Sequence, residues 1–168
     1  MEGKEETAET RIGIRGVGLD LIECEENIVR GNTIFGTKTD NFALGVELID
    51  CYLNILNNNI IEFCEEEGIY FSDSTYNNFE GNLVFNNSTG NVNQHAGIWL
   101  GGGATHNSIV GNKSIDDRGT PAQKYGVGEA GAGADWNLVT NNVCVDNVTA
   151  EIFIVGGNTI NANNITGP

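Results

Sequence analysis

Basic residues are scarce in this sequence: 8 Lys and Arg stand against 23 Asp and Glu in 168 residues, a formal charge of -15. A chain so acidic repels polyanions at long range, which sets aside nucleic acid and anionic membrane surfaces and leaves neutral glycans, cations and basic proteins as partners. No apolar run approaches the ~20 residues of a membrane helix. The opening MEGKEETAET is acidic where an export signal would be basic and then apolar. Only two prolines interrupt the chain. The cysteines, Cys24, Cys51, Cys64 and Cys144, form no CxxC pair and have no histidine at metal-ligand spacing, so they read as free thiols packed as small apolar groups. What the chain does have is 23 glycines, abundant asparagine, and Ile, Val, Leu and Phe in short runs. That composition favours strands joined by turns.

One frame recurs. NIVRGN begins at Asn27, NILNNN at Asn54, NNFEGN at Asn77, NSIVGN at Asn107, NLVTNN at Asn137 and NTINAN at Asn158, each closing on a second asparagine: Asn32, Asn59, Asn82, Asn112, Asn142 and Asn163. The unit is roughly 20 to 30 residues, the length of one repeat in a solenoid. Each of the first four units opens on a glycine and an alternating apolar run, namely GLDL from Gly18, GVEL from Gly45, GIYF from Gly68 and GIWL from Gly97; GVGE from Gly126 opens the fifth. The unit therefore reads as strand, polar turn, Asn, strand, turn residue, Asn, strand. Three short strands per repeat and no helical stretch make an all-β parallel β-helix of about six rungs, occupying 12–168 after a polar segment at 1–11. Stacked rungs lie about 4.8 Å apart, so a buried Asn can donate to and accept from the Asn of the next rung, forming a ladder.

A leucine-rich repeat shares the period and an asparagine ladder, and LDLIEC and VELIDC suit its core. It needs a further leucine three residues before the strand, where this chain has Gly16, Ala43 and Glu66, and its convex side has no second Asn-bounded strand. On these repeats, from about Gly13 to Ile165, the sequence resembles the right-handed parallel β-helix family of pectin-lyase-like proteins. Residues 112–142 also resemble a segment of β-helices from phage appendages and bacterial surface proteins. These resemblances imply polysaccharide attachment or cleavage at a cell surface, outside the cell or on a virion, and equally admit a non-catalytic stalk or assembly module.

Strand alternation turns the middle residue of the first strand to solvent. Aligned rungs stack Asp20, Glu47, Tyr70, Trp99 and Gly128 in one outward column, with carboxylates to accept sugar hydroxyls and flat rings for sugar faces. Within it Trp99 is expected to matter more to a bound glycan than Trp136, which stands at a turn. A second acidic column, Glu23, Asp50 and Asp73, follows at the adjoining turn. The longest connections, 85–96 and 114–125, are expected beside the first strand, carrying His95, Asp116, Asp117, Arg118 and Lys124 toward Trp99. The family's lyases use a basic residue beside a carboxylate, usually with calcium, and its glycosidases use clustered carboxylates. The glycosidase motifs G-H-G and R-I-K are absent, and no basic cluster stands out. If the chain is a lyase or a hydrolase, Asp50, Asp73, Asp116 and Asp117 are the candidate catalytic acids, and Asp20, Glu47, Tyr70 and Trp99 the substrate-binding residues.

Gly101 to Gly103 and the GEAGAGAD run lack a P-loop lysine and following helix, so they read as wide turns. The acidic columns offer carboxylates to Ca2+, though no loop repeats a calcium consensus. A β-helix exposes strand edges at its ends, and the short polar segments here make poor caps. Either a longer chain or self-association, with a homotrimer favoured by the resemblance, is expected to cover them, through an apolar strip placed on the second-strand face.

Overall fold

The computed structural model describes residues 16–36, 44–131 and 133–167; the polar segment 1–11 and the domain start at residue 12 lie outside them. Each coil contributes three short strands. The first holds β1 (Leu19–Ile22), β2 (Ile28–Arg30) and β3 (Thr33–Phe35), and the second β4 (Val46–Ile49), β5 (Ile55–Asn57) and β6 (Ile60–Glu62). The third and fourth hold β7 (Ile69–Ser72), β8 (Asn78–Glu80), β9 (Leu83–Phe85), β10 (Ile98–Leu100), β11 (Ser108–Val110) and β12 (Lys113–Ile115). The last two hold β13 (Tyr125–Glu129), β14 (Leu138–Thr140), β15 (Val143–Val145), β16 (Ala150–Phe153), β17 (Ile160–Ala162) and β18 (Ile165–Thr166). First strands pair with first strands, second with second and third with third, giving three six-stranded parallel sheets. There is no helix among the described residues.

The core follows from alternation. In the second sheet Val29, Leu56, Phe79, Ile109 and Val139 fall into one inward column, and in the third Ile34, Ile61, Val84, Ser114 and Cys144 do. The first sheet adds Val46, Leu48, Ile69, Phe71, Ile98 and Leu100, all buried. Phe71 meets Phe79 with ring centroids 4.4 Å apart, bridging two walls. All four cysteines are free, and burial pushes the Cys64 and Cys144 thiols up to about 12. Those two are packing groups, as expected from their spacing, with negligible thiolate at neutral pH.

The asparagines form the anticipated ladders. Asn77 accepts from the Asn54 backbone N–H at 2.9 Å and from its Nδ2 at 3.0 Å, then donates both of its own to Asn107 Oδ1. From the second coil on, the Nδ2 also donates to a carbonyl of the preceding coil, as Asn107 does to Ser74 O at 2.8 Å. The second ladder runs from Asn32 through Asn59, Asn82 and Asn112 to Asn142 by the same bonds. A third, shorter one joins Cys64 N to Asn87, Asn87 to Gln123 and Gln123 to Asn147.

The sixth pair needs correction. Thr159 and Asn164, not Asn158 and Asn163, take the ladder positions: Thr159 Oγ1 accepts from Asn137 N, and Asn164 Oδ1 from Asn142 N and Nδ2. The cause lies one coil back. Asp135 takes Asn158 N at 2.8 Å and Nδ2 at 2.7 Å, while Glu129 takes Gly156 N and Thr159 Oγ1, both at 2.7 Å, and the last coil stays in register with the fifth, Leu138 opposite Ile160 and Val143 opposite Ile165. Reading the frame one residue early turns every strand residue over. Ile160 and Ile165, which that reading points inward, are 59% and 62% exposed.

Candidate functional site

The first sheet carries the outward column. Its register pairs Asp20 with Glu47, Glu47 with Tyr70, Tyr70 with Trp99, Trp99 with Gly128 and Gly128 with Phe153. Asp20 is exposed; Glu47, Tyr70 and Trp99 are half-buried. Trp99 lies over the next coil, because a Cβ at Gly128 would sit 2.4 Å from the indole. The glycine is there to seat a ring. Tyr125 lies nearly parallel to Trp99 at 6.0 Å, Phe153 nearly parallel to Tyr125 at 4.8 Å, and Lys124 Nζ stands 5.0 Å from the Tyr125 centroid. The result is a floor that is acidic over its first two coils and aromatic over the next four.

One margin is built by the connections from third sheet to first. His95 Nδ1 meets Glu67 Oε1 at 3.0 Å, and the His95 carbonyl accepts from Lys124 N at 2.7 Å. The hydrogen bond to Glu67 holds the His95 pKa above its ordinary value against the opposing effect of burial. Burial raises the Glu66 carboxyl, which His95 partly offsets and Glu67 and Glu65 reinforce. Burial likewise raises Glu47, helped by the charges of Asp20 and Glu66. Acids of this kind keep a proton nearer to neutrality than free carboxyls, beside an imidazole that favours its charged form.

The opposite margin is the turn after the first strand. Glu23, Asp50 and Asp73 occupy it in left-handed conformation, with φ of 50°, 51° and 47°, and all three are exposed. Their backbone amides donate to successive coils, so they form the column read from the sequence. Asp73 accepts from Ser72 Oγ at 3.1 Å.

Asp116 and Asp117 stand apart from Asp50 and Asp73, in the connection that enters the first sheet at its other edge. Asp116 is fully buried and its oxygens are taken by Arg118 Nε and Nη2 and by the Ala122 and Gln123 amides, at 2.5 to 2.7 Å. Burial pushes its carboxyl up, but Arg118 and the two amides overcome this and hold it below the ordinary value. Arg118 also donates to the Asn87 carbonyl. Asp117 exchanges bonds with Asn86. These side chains fold the connection rather than face the floor. His95 and Lys124 reach the floor's margin; Asp116 and Arg118 do not.

Glu66, Glu67 and Glu129 were not singled out as site residues from the sequence. Glu66 and Glu67 sit immediately before Gly68, in the EEEG run that feeds the first strand, and that position was the available signal. Glu129 looked like the tail of a glycine turn. It occupies the inward position of Leu100, fully buried, and binds Asn137 Nδ2 at 2.8 Å. The glycine runs are wide turns, closed by Ala104 N to Gly101 O and Ala134 N to Gly131 O. Among the described residues no group of three or more His, Cys, Asp or Glu side chains is arranged to hold a metal ion.

Comparison with known proteins gives a consistent picture of the fold. The family described as "Right handed beta helix region" matches residues 6–114, more than half of the chain. No curated protein matches the sequence. Among solved structures, the A-module of the mannuronan C-5 epimerase AlgE6 of Azotobacter vinelandii is similar over 91% of this chain, with a TM-score of 0.69 and 14% identity. The match spans 49% of that module, about half its length.

Proposed function

Because this chain belongs to the right-handed β-helix family, we propose that it holds a polysaccharide along its first sheet and acts on it with the acids of that floor. Sugar rings rest on Tyr70 and Trp99, and Asp20 and Glu47 accept their hydroxyls. Glu47 supplies the proton to a glycosidic oxygen, with Glu66 and the His95–Glu67 pair holding the local charge in balance. The observation that carries this reading is the in-register run Glu47, Tyr70, Trp99, a protonatable acid one coil from a ring platform. That the structurally similar module is by name an epimerase of mannuronan, a polysaccharide, supports the substrate class. In cleavage Asp50 or Asp73, exposed on the far margin, takes the proton of the water that attacks the anomeric carbon while the leaving oxygen departs with the proton from Glu47. Such a module would work at a cell surface, outside the cell or on a virion.

The test is a panel of neutral and acidic polysaccharides scored for binding, for new reducing ends and for unsaturated products. Reducing ends that vanish in Glu47→Gln but persist in Asp116→Asn are expected. Unsaturated ends would replace hydrolysis with elimination, and silence across the panel from the folded protein would remove the reading.

A second reading rests on the outer face of the third sheet. Ile60, Leu83, Val143 and Ile165 share one outward column and Phe35, Phe85, Ile115 and Val145 another, interrupted only by Lys113 and Glu62. This apolar face suits a second copy of the chain and thus a non-catalytic assembly module, a homotrimer included. It is more continuous than the second-sheet face, where Asn78, Ser108, Arg30, Asn57, Glu80 and Thr140 interrupt the outward columns. Light scattering at low and moderate salt tests it: a monomer at both ends the reading.

A further inference from the structure

Each of the first five coils turns twice through left-handed backbone beside its ladder asparagines. At the turn before the second asparagine the residues are Gly31, Asn58, Gly81, Gly111, Asn141 and, in the last coil, Asn163. Glycine and asparagine are the residues that accept this conformation most readily. Just before the first asparagine stand Glu26, Leu53, Tyr76, His106 and Trp136, with φ of 58°, 56°, 57°, 57° and 58°. The backbone demand is the same, yet the second series is filled with large side chains that meet it badly.

Packing does not explain them. Leu53, Tyr76 and Trp136 are 41%, 50% and 57% exposed, and His106 is exposed too. Three of them stack on one another: Tyr76 and His106 lie 4.9 Å apart and within 19° of parallel, His106 and Trp136 6.1 Å apart and within 5°. Tyr52, from the coil before, meets Tyr76 edge-on at 5.5 Å. The rings thus make a row along the helix axis, at the corner between first and second sheets, on the margin away from His95 and Glu67. Hydroxyls and carboxylates run beside it, since Tyr52, Thr75, Thr105 and Asp135 are bridged in register.

We propose that this row is a second carbohydrate site, a track that holds a neutral glycan chain by its sugar faces without acting on it. Exposed rings with one polar flank suit a ligand that is apolar on its faces and hydroxylated at its edges. The ligand is neutral because the flanking charges, Asp73 and Asp135, are acidic and the chain carries -15 overall. The left-handed turn is the fold's own requirement, but the large exposed residues that fill it, where glycine or asparagine would serve, are not. The site is independent of the first-sheet floor, and the two can fail separately.

The chain's two tryptophans divide between the two sites, which makes the test direct. In the Trp99→Phe protein only Trp136 reports, and in Trp136→Phe only Trp99. Each is titrated with β-1,4-linked oligosaccharides of glucose, xylose and mannose while emission is followed. A saturable blue shift of Trp136 with at least one of them is expected, unchanged by Glu47→Gln and weakened about fivefold or more by Tyr76→Asn. Asparagine relieves the backbone while removing the ring, so Tyr76→Asn and Trp136→Gly should melt no lower than the parent. A clear fall in melting temperature for both would make the row a structural stack and overturn the proposal. So would a Trp136 emission indifferent to all three sugars, or one that follows protein concentration instead, which would assign the row to contact between copies. A response at Trp99 alone would sink the corner track and leave the first-sheet reading standing.

Discussion

Asn107 and Asn27 do the same thing in different company. Asn107, in the middle of the stack, is 1% exposed and bonds upward, downward and to the preceding coil. Asn27, in the first described coil, is exposed; it donates to Asn54 as the others do, but its amide also turns to the Glu25 carbonyl of its own chain. The chemistry of the bond is constant and the cost of breaking it is not. Water can replace a partner at Asn27, whereas at Asn107 the orphaned amides have nowhere to turn. The difference teaches that the ladder's contribution comes from burial, and it separates the central coils from the first throughout the molecule.

The widest gap is expected in the inward column of the second sheet. Phe79→Ala should cost about 3 to 5 kcal/mol of unfolding free energy, because it opens a cavity against Phe71, while Val29→Ala in the same column should cost about 1 kcal/mol. Denaturant midpoints of the two variants check this, and equal losses would show that the first coil is as well packed as the third. Charge follows the same rule. Asp116→Asn should cost about 2 to 4 kcal/mol at neutral pH, since Arg118 and two amides lose a buried carboxylate. Because the folded carboxyl is held below the ordinary 3.8, its contribution is complete above that value and disappears as pH falls through the lowered one. The acid limb of the melting curve should therefore flatten in the variant.

Next in size is the ladder itself. Asn107→Leu should destabilise by about 1 to 3 kcal/mol and Asn27→Leu by no more than about 0.5 kcal/mol, read by chemical denaturation. A matched pair of values would break the comparison outright. The smallest effect belongs to the half-exposed pair His95 and Glu67. The folded His95 pKa is raised, so its stabilisation is full below the ordinary 6.5 and is lost as pH rises through the raised value. Melting should fall by about 1 °C across that window, and Glu67→Gln should abolish the fall.

Period and register were legible because they rest on repetition. Glycine, an alternating apolar run and two asparagines recur often enough in the sequence alone to place Asp20, Glu47, Tyr70 and Trp99 in one column. The last coil defeated the same reasoning. Its NTINAN matches the frame one residue early, and only the grip of Asp135 on Asn158, a contact between coils, shows that Asn158 is not the ladder residue. The connections were hidden for a related reason. Alternation says which face a strand residue takes but not where a connection folds, so Asp116 was grouped with the acids of the floor although it is the buried anchor of its own loop. Conversely Tyr76, His106 and Trp136 were plainly visible before their asparagines. Their left-handed backbone, which makes large residues there unusual, was not.

The ladders also have a direction. Along the first ladder each asparagine accepts from the coil before and donates to the coil after, so the amide dipoles add along the axis; the column has an acceptor pole at Asn27 and a donor end at Asn137 and Thr159, the hydroxyl that accepts from Asn137 N. Glu129 lies at that donor end, fully buried, its Oε1 accepting from Asn137 Nδ2 and from Thr159 Oγ1. Polarity restricts growth. A further coil, from this chain or from another copy, can extend the column only with its own acceptor turned to the donor end. End-to-end association of β-helices of this kind must then be head to tail and open-ended, because a two-fold pairing of identical ends would set acceptor against acceptor or donor against donor.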